Sequence, residues 1–247
     1  MDFIASAFYA RSTELLIKAG QVIGQDMKKY EELYEGVLRV FQQTFPTYNT
    51  QTEAALAIYF NLAKDKKSAA DRLAELIVLN DGKMATGFIG TPYLNHALSD
   101  NGHHKLAFDL ILREEYPSWL YSVKKGATTI WEHWDGIMEN GDFWSADMNS
   151  FNHYAYGAVA DWLYEVVGGI SPIESHPGFE KVKIAPQVDD RLDFFECSFH
   201  SKYGEIFSKW SKEGDKFRHD IRVPVSAFVS IGATEKWVEP GSYTFWN

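Results

Sequence analysis

At Gly168-Gly169 the hydrophobic period of this chain changes, and no single regular element can accommodate both halves. Upstream, apolar residues recur at helical spacing; from Ser171 onward, short runs alternate apolar and polar residues. The fold class expected is mainly α with a C-terminal all-β domain. The boundary falls between residues 170 and 171, giving domains over 1–170 and 171–247. With 45% hydrophobic residues among 247, either part has material for a core.

The helical part reads as paired segments. Residues 2–23 carry Phe3, Ile4, Ala7, Phe8, Leu15, Leu16, Ala19 and Ile23, with Asp2 placed to cap the start and Gly24 to end it. Residues 26–45 form a second amphipathic helix, stopped by Phe45-Pro46. Residues 50–63 are largely apolar, so that helix is expected to be covered on several sides. Residues 68–79, 94–98 and 105–114 give three more. Phe151 to Val167 reads as the last, placing Asn152 and His153 at a helix start, where free N–H groups point outward. Between the fourth and fifth helices, Gly87-Phe88-Ile89-Gly90-Thr91-Pro92-Tyr93 bends the backbone and sets Phe88 and Tyr93 on a connection. Tyr93 is then either a pocket wall or the anchor of a packing corner.

The β part shows runs at Lys181–Ala185, Leu192–Ser201, Glu205–Lys212, Lys216–Val223, Ala227–Ile231 and Gly241–Trp246. Turn residues separate them, as expected of a small antiparallel β-sandwich. Between Val223-Pro224 and Pro240 the chain looks short, so a strand or loop is expected to be absent there, leaving an edge open.

Gly126 to Gly157 fits neither pattern. Glu132 lies between Trp131 and Trp134, and Asp135, Asp142, Asp147, Asn149, Asn152 and His153 follow among further aromatic rings. The polar groups lack helical spacing, and the segment is too aromatic for a solvated loop. Flat rings beside carboxylates and amides suit a sugar, whose C–H face stacks and whose hydroxyls take the polar groups. A carboxylate walled by tryptophans can have its pKa or orientation set for proton transfer. The competing reading has Glu132 as a helix cap or ion-pair member and the tryptophans as core. Composition does not choose between them.

The sequence GATTIWEHWDG, followed by MNSFNHYAYGAVADWLY, resembles the bacterial α-L-rhamnosidases of glycoside hydrolase family 78. TGFIGTPYLNHALSDNGHHKLAFDLIL, YPSWLYSVKKGATTIWEHW and GFEKVKIAPQ resemble the same family in the same order. The resemblance implies part of an (α/α)6 toroid followed by a β-sandwich. It also implies an inverting hydrolase whose two carboxyl groups stand roughly 6.5–9.5 Å apart, leaving room for water. The glutamate of TTIWE is taken as the general base, here Glu132, and the histidine of FNHYAYG as a sugar contact, here His153. Trp131, Trp134, Tyr93 and Asn152 are the further expected contacts. His133 stands where the family usually has arginine.

The family's general acid lies in an upstream motif near the start of the barrel, and this chain begins beyond that point. About seven helical segments can be read, where a closed barrel needs twelve. The expectation is a form carrying the base without the acid, inactive or nearly so alone. It would self-associate or pair with an N-terminal half, because uncovered apolar faces favour association. A non-catalytic rhamnoside-binding or structural remnant is the alternative. A third reading recruits Asp135, Asp142 or Asp147 as the acid, but acidic residues in turns are more often caps.

The net charge of −10 argues against nucleic-acid or anionic-membrane partners. No apolar run reaches membrane-spanning length. Cys197 is the sole cysteine, so no intrachain disulfide is expected. These features fit a cytoplasmic protein, and equally a shortened secreted one. His103 and His104 lack a third ligand at suitable spacing, and are read as a helix start with solvated rings. No metal or cofactor is expected.

Overall fold

The computed structural model describes residues 2–247. The chain divides into two compact units, Met1–Gly157 and Ala158–Asn247.

The first unit is built from helical hairpins. Helix α1 (Phe3–Val22) begins at Asp2, whose carboxylate accepts the Ala5 N–H at 3.0 Å. It buries Phe3, Ala7, Ala10, Thr13, Ile17 and Gly20. Helices α2 (Lys28–Thr44), α3 (Gln51–Tyr59), α4 (Lys66–Leu79), α5 (Thr91–Ser99), α6 (His104–Leu112) and α7 (Trp119–Lys124) follow. Helices α1, α3 and α5 each pack on their even successors, α3 lies between α1 and α5, and α4 also touches α5. Helix α3 starts with a full capping box, Thr50 and Glu53 each bonding the other's backbone N–H. It is buried along Ala54–Ile58, as its sequence requires. It ends four residues sooner than the periodicity suggests, because Asn61 takes a left-handed conformation (φ 59°).

Gln51 fixes the connection after α4: its Nε2 donates to the Lys83 carbonyl at 3.0 Å, and its Oε1 accepts the Ala85 N–H at 2.7 Å. At Gly90 a Cβ would stand 2.6 Å from Thr52 Oγ1, so the turn requires glycine to approach α3. Phe88 sits on that turn. Tyr93 does not: it is the third residue of α5, which begins at Thr91 because Pro92 suits the first helical turn. The rings of His103 and His104 are not simply solvated either. His103 Nε2 lies 2.7 Å from Asp71 Oδ1, and His104 packs edge-on against Phe108.

The last helical stretch begins at Ala155, not Phe151. It comprises a 3₁₀ turn (Ala155–Ala158), α8 (Val159–Trp162) and a π turn (Leu163–Val167). Asn152 and His153 therefore precede it.

The second unit carries two four-stranded sheets, β1-β2-β6-β7 and β3-β4-β5-β8. The strands are β1 (Ile170–Pro172), β2 (Val182–Ile184), β3 (Phe194–Ser201), β4 (Gly204–Glu213), β5 (Lys216–Val223), β6 (Ala227–Ile231), β7 (Thr234–Val238) and β8 (Gly241–Trp246). Both sheets send residues into one core, including Val182, Ile184, Val229 and Ile231 from the first and Ile206, Ile221 and Phe245 from the second. This is the expected sandwich. Two details differ. Strands β2 and β6 pair in parallel. And no strand is absent before Pro240: β7 hairpins with β6 there and forms a sheet edge. Its Glu235 and Lys236 are exposed, a charged edge of the kind that resists pairing with other chains.

Candidate functional site

Residues 126–154 contain no helix and only one isolated bridge, Ile137 with Phe143. Their shape comes from bonds between backbone and side chains. Tyr121 Oη donates to the Ile137 carbonyl at 3.0 Å, and Lys125 Nζ to the Met138 carbonyl at 3.1 Å. Asn149 Nδ2 donates to the Gly136 carbonyl at 2.8 Å. Trp119 Nε1 donates to the Tyr156 carbonyl at 2.9 Å, anchoring the far end to α7.

Two strands of this segment are laced together. The Glu132 N–H donates to the Ser150 carbonyl, and the His153 N–H to the Ile130 carbonyl, both at 2.8 Å. Thr129 Oγ1 donates to the Phe151 carbonyl. The Glu132 carboxylate takes part: Oε2 accepts the Ser150 N–H at 2.8 Å. Among the described residues its Oε1 has no hydrogen-bond partner. Glu132 is half-buried, and so is His153. The lacing thus brings together two residues that are 21 apart in sequence.

The rings divide by role. Trp131 is buried, edge-on to Phe151 at 5.0 Å. Trp134 stacks on Tyr156 at 3.8 Å and meets Trp119 edge-on at 5.1 Å. His133 lies flat on Trp144 at 3.6 Å, with an interplanar angle of 17°. His153 stacks with Phe88 (4.8 Å) and with Tyr154 (5.4 Å). Its Nδ1 accepts the Ala155 N–H at 3.3 Å, which leaves Nε2 as the protonated nitrogen of the neutral ring. Tyr93 packs with Tyr59 and Phe60, each at 4.9 Å. Asn152 is exposed, its backbone N–H donating to Ser150 Oγ at 3.2 Å.

One residue went unnoticed in the sequence, and two of the aromatic rings noted there were given no role. Ser150 acts through its backbone N–H, which any residue but proline offers. Trp144 and Tyr154 present exposed rings, Tyr154 at 87%. Aromatic density marked the stretch but did not sort exposed rings from buried ones. The acidic side chains differ in setting. Asp142 is exposed and accepts Asn140 Nδ2 at 2.7 Å, a turn-capping bond. Burial, followed by the charge of Asp135, pushes the Tyr116 hydroxyl pKa up, so the phenol stays neutral over a wider pH range. A cavity of about 820 Å³ lies elsewhere, between the α2–α3 turn and the start of α4, with Tyr48, Asp65 and Arg72 in its wall.

A half-exposed carboxylate with one oxygen held and one open can polarise a water molecule. Exposed rings of the same segment, Trp144 and Tyr154, can stack on an apolar sugar face.

Residues 1–167 match the bacterial α-L-rhamnosidase 6 hairpin glycosidase domain, and residues 169–238 the bacterial α-L-rhamnosidase C-terminal domain. An α-L-rhamnosidase of Streptomyces avermitilis is 36% identical over 238 residues, 93% of this chain and 23% of that protein. One from Formosa agariphila is 36% identical over 241 residues, 93% of this chain and 26% of its own length. The crystal structure of the Streptomyces avermitilis α-L-rhamnosidase complexed with L-rhamnose superposes with a TM-score of 0.92 at 32% identity, over 100% of this chain and 27% of that one. The native Aspergillus terreus enzyme gives 0.90 at 34% identity, over 97% of this chain and 30% of that one. The chain therefore spans about a quarter of the length of the curated relatives it matches.

Proposed function

The chain belongs to the bacterial α-L-rhamnosidases, and on that premise we propose that it is the portion of an inverting α-L-rhamnosidase that carries the general base, Glu132, without the general acid. One observation carries the reading: Glu132 is pinned through Oε2 by the Ser150 N–H while Oε1 stays open, on the same backbone lacing that holds His153. A carboxylate fixed at one oxygen presents the other in a set direction. It can take a proton from a water attacking the anomeric carbon on the face opposite the departing group. His153 offers Nε2–H to a sugar hydroxyl, and Asn152 offers its amide. Trp131, Trp134 and Tyr93 back the pocket, Tyr93 following the turn that carries Phe88. The acid that protonates the leaving oxygen comes from outside residues 1–247. Within the chain the helical catalytic portion runs over 1–170 and the β-sandwich over 171–247.

The partners follow from this. The ligand is a terminal α-L-rhamnoside. The macromolecular partner is either a second copy or a polypeptide bearing the acid. A cytoplasmic setting fits the single cysteine. Among the described residues no helix is long and apolar enough to cross a membrane.

The test is hydrolysis of an aryl α-L-rhamnoside by the purified polypeptide, paired with L-rhamnose binding followed by tryptophan fluorescence. The expected result is binding without turnover, with binding retained in Glu132→Gln. Turnover at ordinary enzymatic rates, about 1–1,000 per second, would mean that the chain supplies both carboxyl groups and would overturn the reading. Absence of rhamnose binding in every form would leave a structural remnant.

A further inference from the structure

The cavity between the α2–α3 connection and the start of α4 encloses about 820 Å³, within the roughly 300–1,000 Å³ of small-molecule sites. Its walls come from consecutive elements inside the first unit. Gln42 lies on the last turn of α2, and Phe45 and Tyr48 on the connection that follows. Asp65, Ser68, Ala69 and Arg72 stand at i, i+3, i+4 and i+7, so they share one face of α4 and its cap.

Two bonds fix these walls. Arg72 Nε donates to the Tyr48 carbonyl at 3.1 Å, tying α4 to the α2–α3 connection. Gln42 Nε2 donates to the Leu62 carbonyl at 3.1 Å, tying α2 to the α3–α4 connection. The cavity is therefore preformed, and a ligand need not order its walls on entering.

The lining is mixed. Phe45 packs against Phe3 and Phe41 at 4.9 and 5.0 Å, which holds its ring in place. Tyr48 is 8% exposed, yet among the described residues its hydroxyl has no hydrogen-bond partner. Burial pushes that hydroxyl's pKa up, with no bonded group opposing it. A buried tyrosine hydroxyl ordinarily finds a partner, and the cavity that Tyr48 lines is where a ligand can supply one. The charges nearby are largely matched. Arg72 Nη1 pairs with Glu75 at 2.6 Å, and Asp65 accepts the Ser68 N–H at 3.1 Å as the cap of α4. Lys64 and Asp65, adjacent on the wall, offset each other. An anion would gain little from so balanced a wall, and an apolar ligand would strip water from its amides and hydroxyls without replacing it.

We propose that this cavity is an accessory binding site for a short uncharged saccharide, whose C–H face rests on Phe45 while its hydroxyls bond Tyr48 Oη, the Asn49 amide and Gln42 Oε1. None of its lining residues belongs to the 126–157 segment, and the proposal does not depend on Glu132 being the base.

The test is isothermal titration and saturation-transfer NMR on the full chain. The probes are cellobiose, maltose, lactose and an α-1,2-linked rhamnose disaccharide, with digalacturonate and inorganic phosphate as charged comparisons. At least one uncharged disaccharide is expected to bind with a Kd of about 1 mM or tighter. Tyr48→Phe removes the hydroxyl and no bond within the chain, and is expected to weaken that binding about three- to tenfold, the loss of one hydrogen bond. Ser68→Trp fills the cavity from the exposed α4 face and is expected to abolish it. His153→Ala is expected to leave it unchanged. Melting temperatures check that each variant keeps its fold. No binding of any uncharged probe at about 10 mM overturns the proposal, as does binding indifferent to both Tyr48→Phe and Ser68→Trp. Binding of digalacturonate or phosphate alone identifies an anion site and also overturns it. Sugar binding lost in His153→Ala and kept in Tyr48→Phe belongs to the Glu132 segment, which supports the functional reading and removes the accessory site.

Discussion

At Glu132 and His153 the same short lacing serves two different chemistries. The carboxylate is held by a backbone N–H that cannot rotate away, while the imidazole is held by ring stacking and by the Ala155 N–H. Removing the imidazole should therefore cost ligand contact without unravelling the segment. His153→Ala is expected to weaken L-rhamnose binding by about tenfold, the loss of roughly one hydrogen bond, while the melting temperature moves little. Fluorescence titration and calorimetry on the same sample check both parts. Both residues could be picked out in the sequence, because the proposed function draws on their side-chain chemistry. Ser150 could not, because its contribution is a main-chain donor. Nor could the fate of each tryptophan. Trp131 goes inward and Trp144 outward, and that sorting depends on the path of a segment without regular period.

Among the elements, legibility follows periodicity. Helices α1 to α4 and strands β5, β6 and β8 lie close to where the apolar spacing puts them, because one buried face imposes the spacing. In β6 alternate residues Ala227, Val229 and Ile231 are buried. Strand β7 buries only Val238, so its edge position left no alternation to read. Strand β1 is three residues long and ends in proline. The laced segment is the extreme case, since its order comes from individual bonds and close approaches. Gly136 is one of these. A Cβ there would stand 2.9 Å from Asn149 Oδ1 and 3.2 Å from both the Phe151 and Trp131 rings. Gly136→Ala is expected to destabilise the first unit by about 1–3 kcal/mol, the usual cost of overpacking, and to reduce rhamnose binding with it. Thr129→Val removes one side-chain bond to the Phe151 carbonyl and should cost about 1 kcal/mol. Urea denaturation with a parallel binding titration distinguishes the two.

For the molecule as a whole, composition is a poor guide to stability, since the groups that set the pH response act singly. In the β unit, burial lowers the pKa of His219, although the bond from its ring to Asn247 Oδ1 at 2.7 Å and the charge of Asp220 oppose this. A base with a depressed folded pKa stabilises the fold above its ordinary value. That contribution is lost as pH falls below about 6.5 and through the folded pKa. Cys197 acts on the other side. Burial, and next the charge of Glu196, pushes its thiol up to about 11. Its contribution is complete below the ordinary thiol value and is lost as pH rises toward about 11. Because Cys197 is only partly buried, the contribution is about 1–2 kcal/mol after allowance for solvent screening. The second unit should thus be most stable across the neutral range and weaken in both directions. His219→Gln should flatten the acid limb between about pH 6.5 and 5, and Cys197→Ala the alkaline limb. Scanning calorimetry across pH on the three proteins checks this. An acid limb unchanged by His219→Gln would assign it to carboxylates such as Asp220, whose pKa is lowered by Thr244 and Arg218 against the opposing effect of burial. Carboxylate protonation would place that limb near or below pH 4 rather than near neutrality.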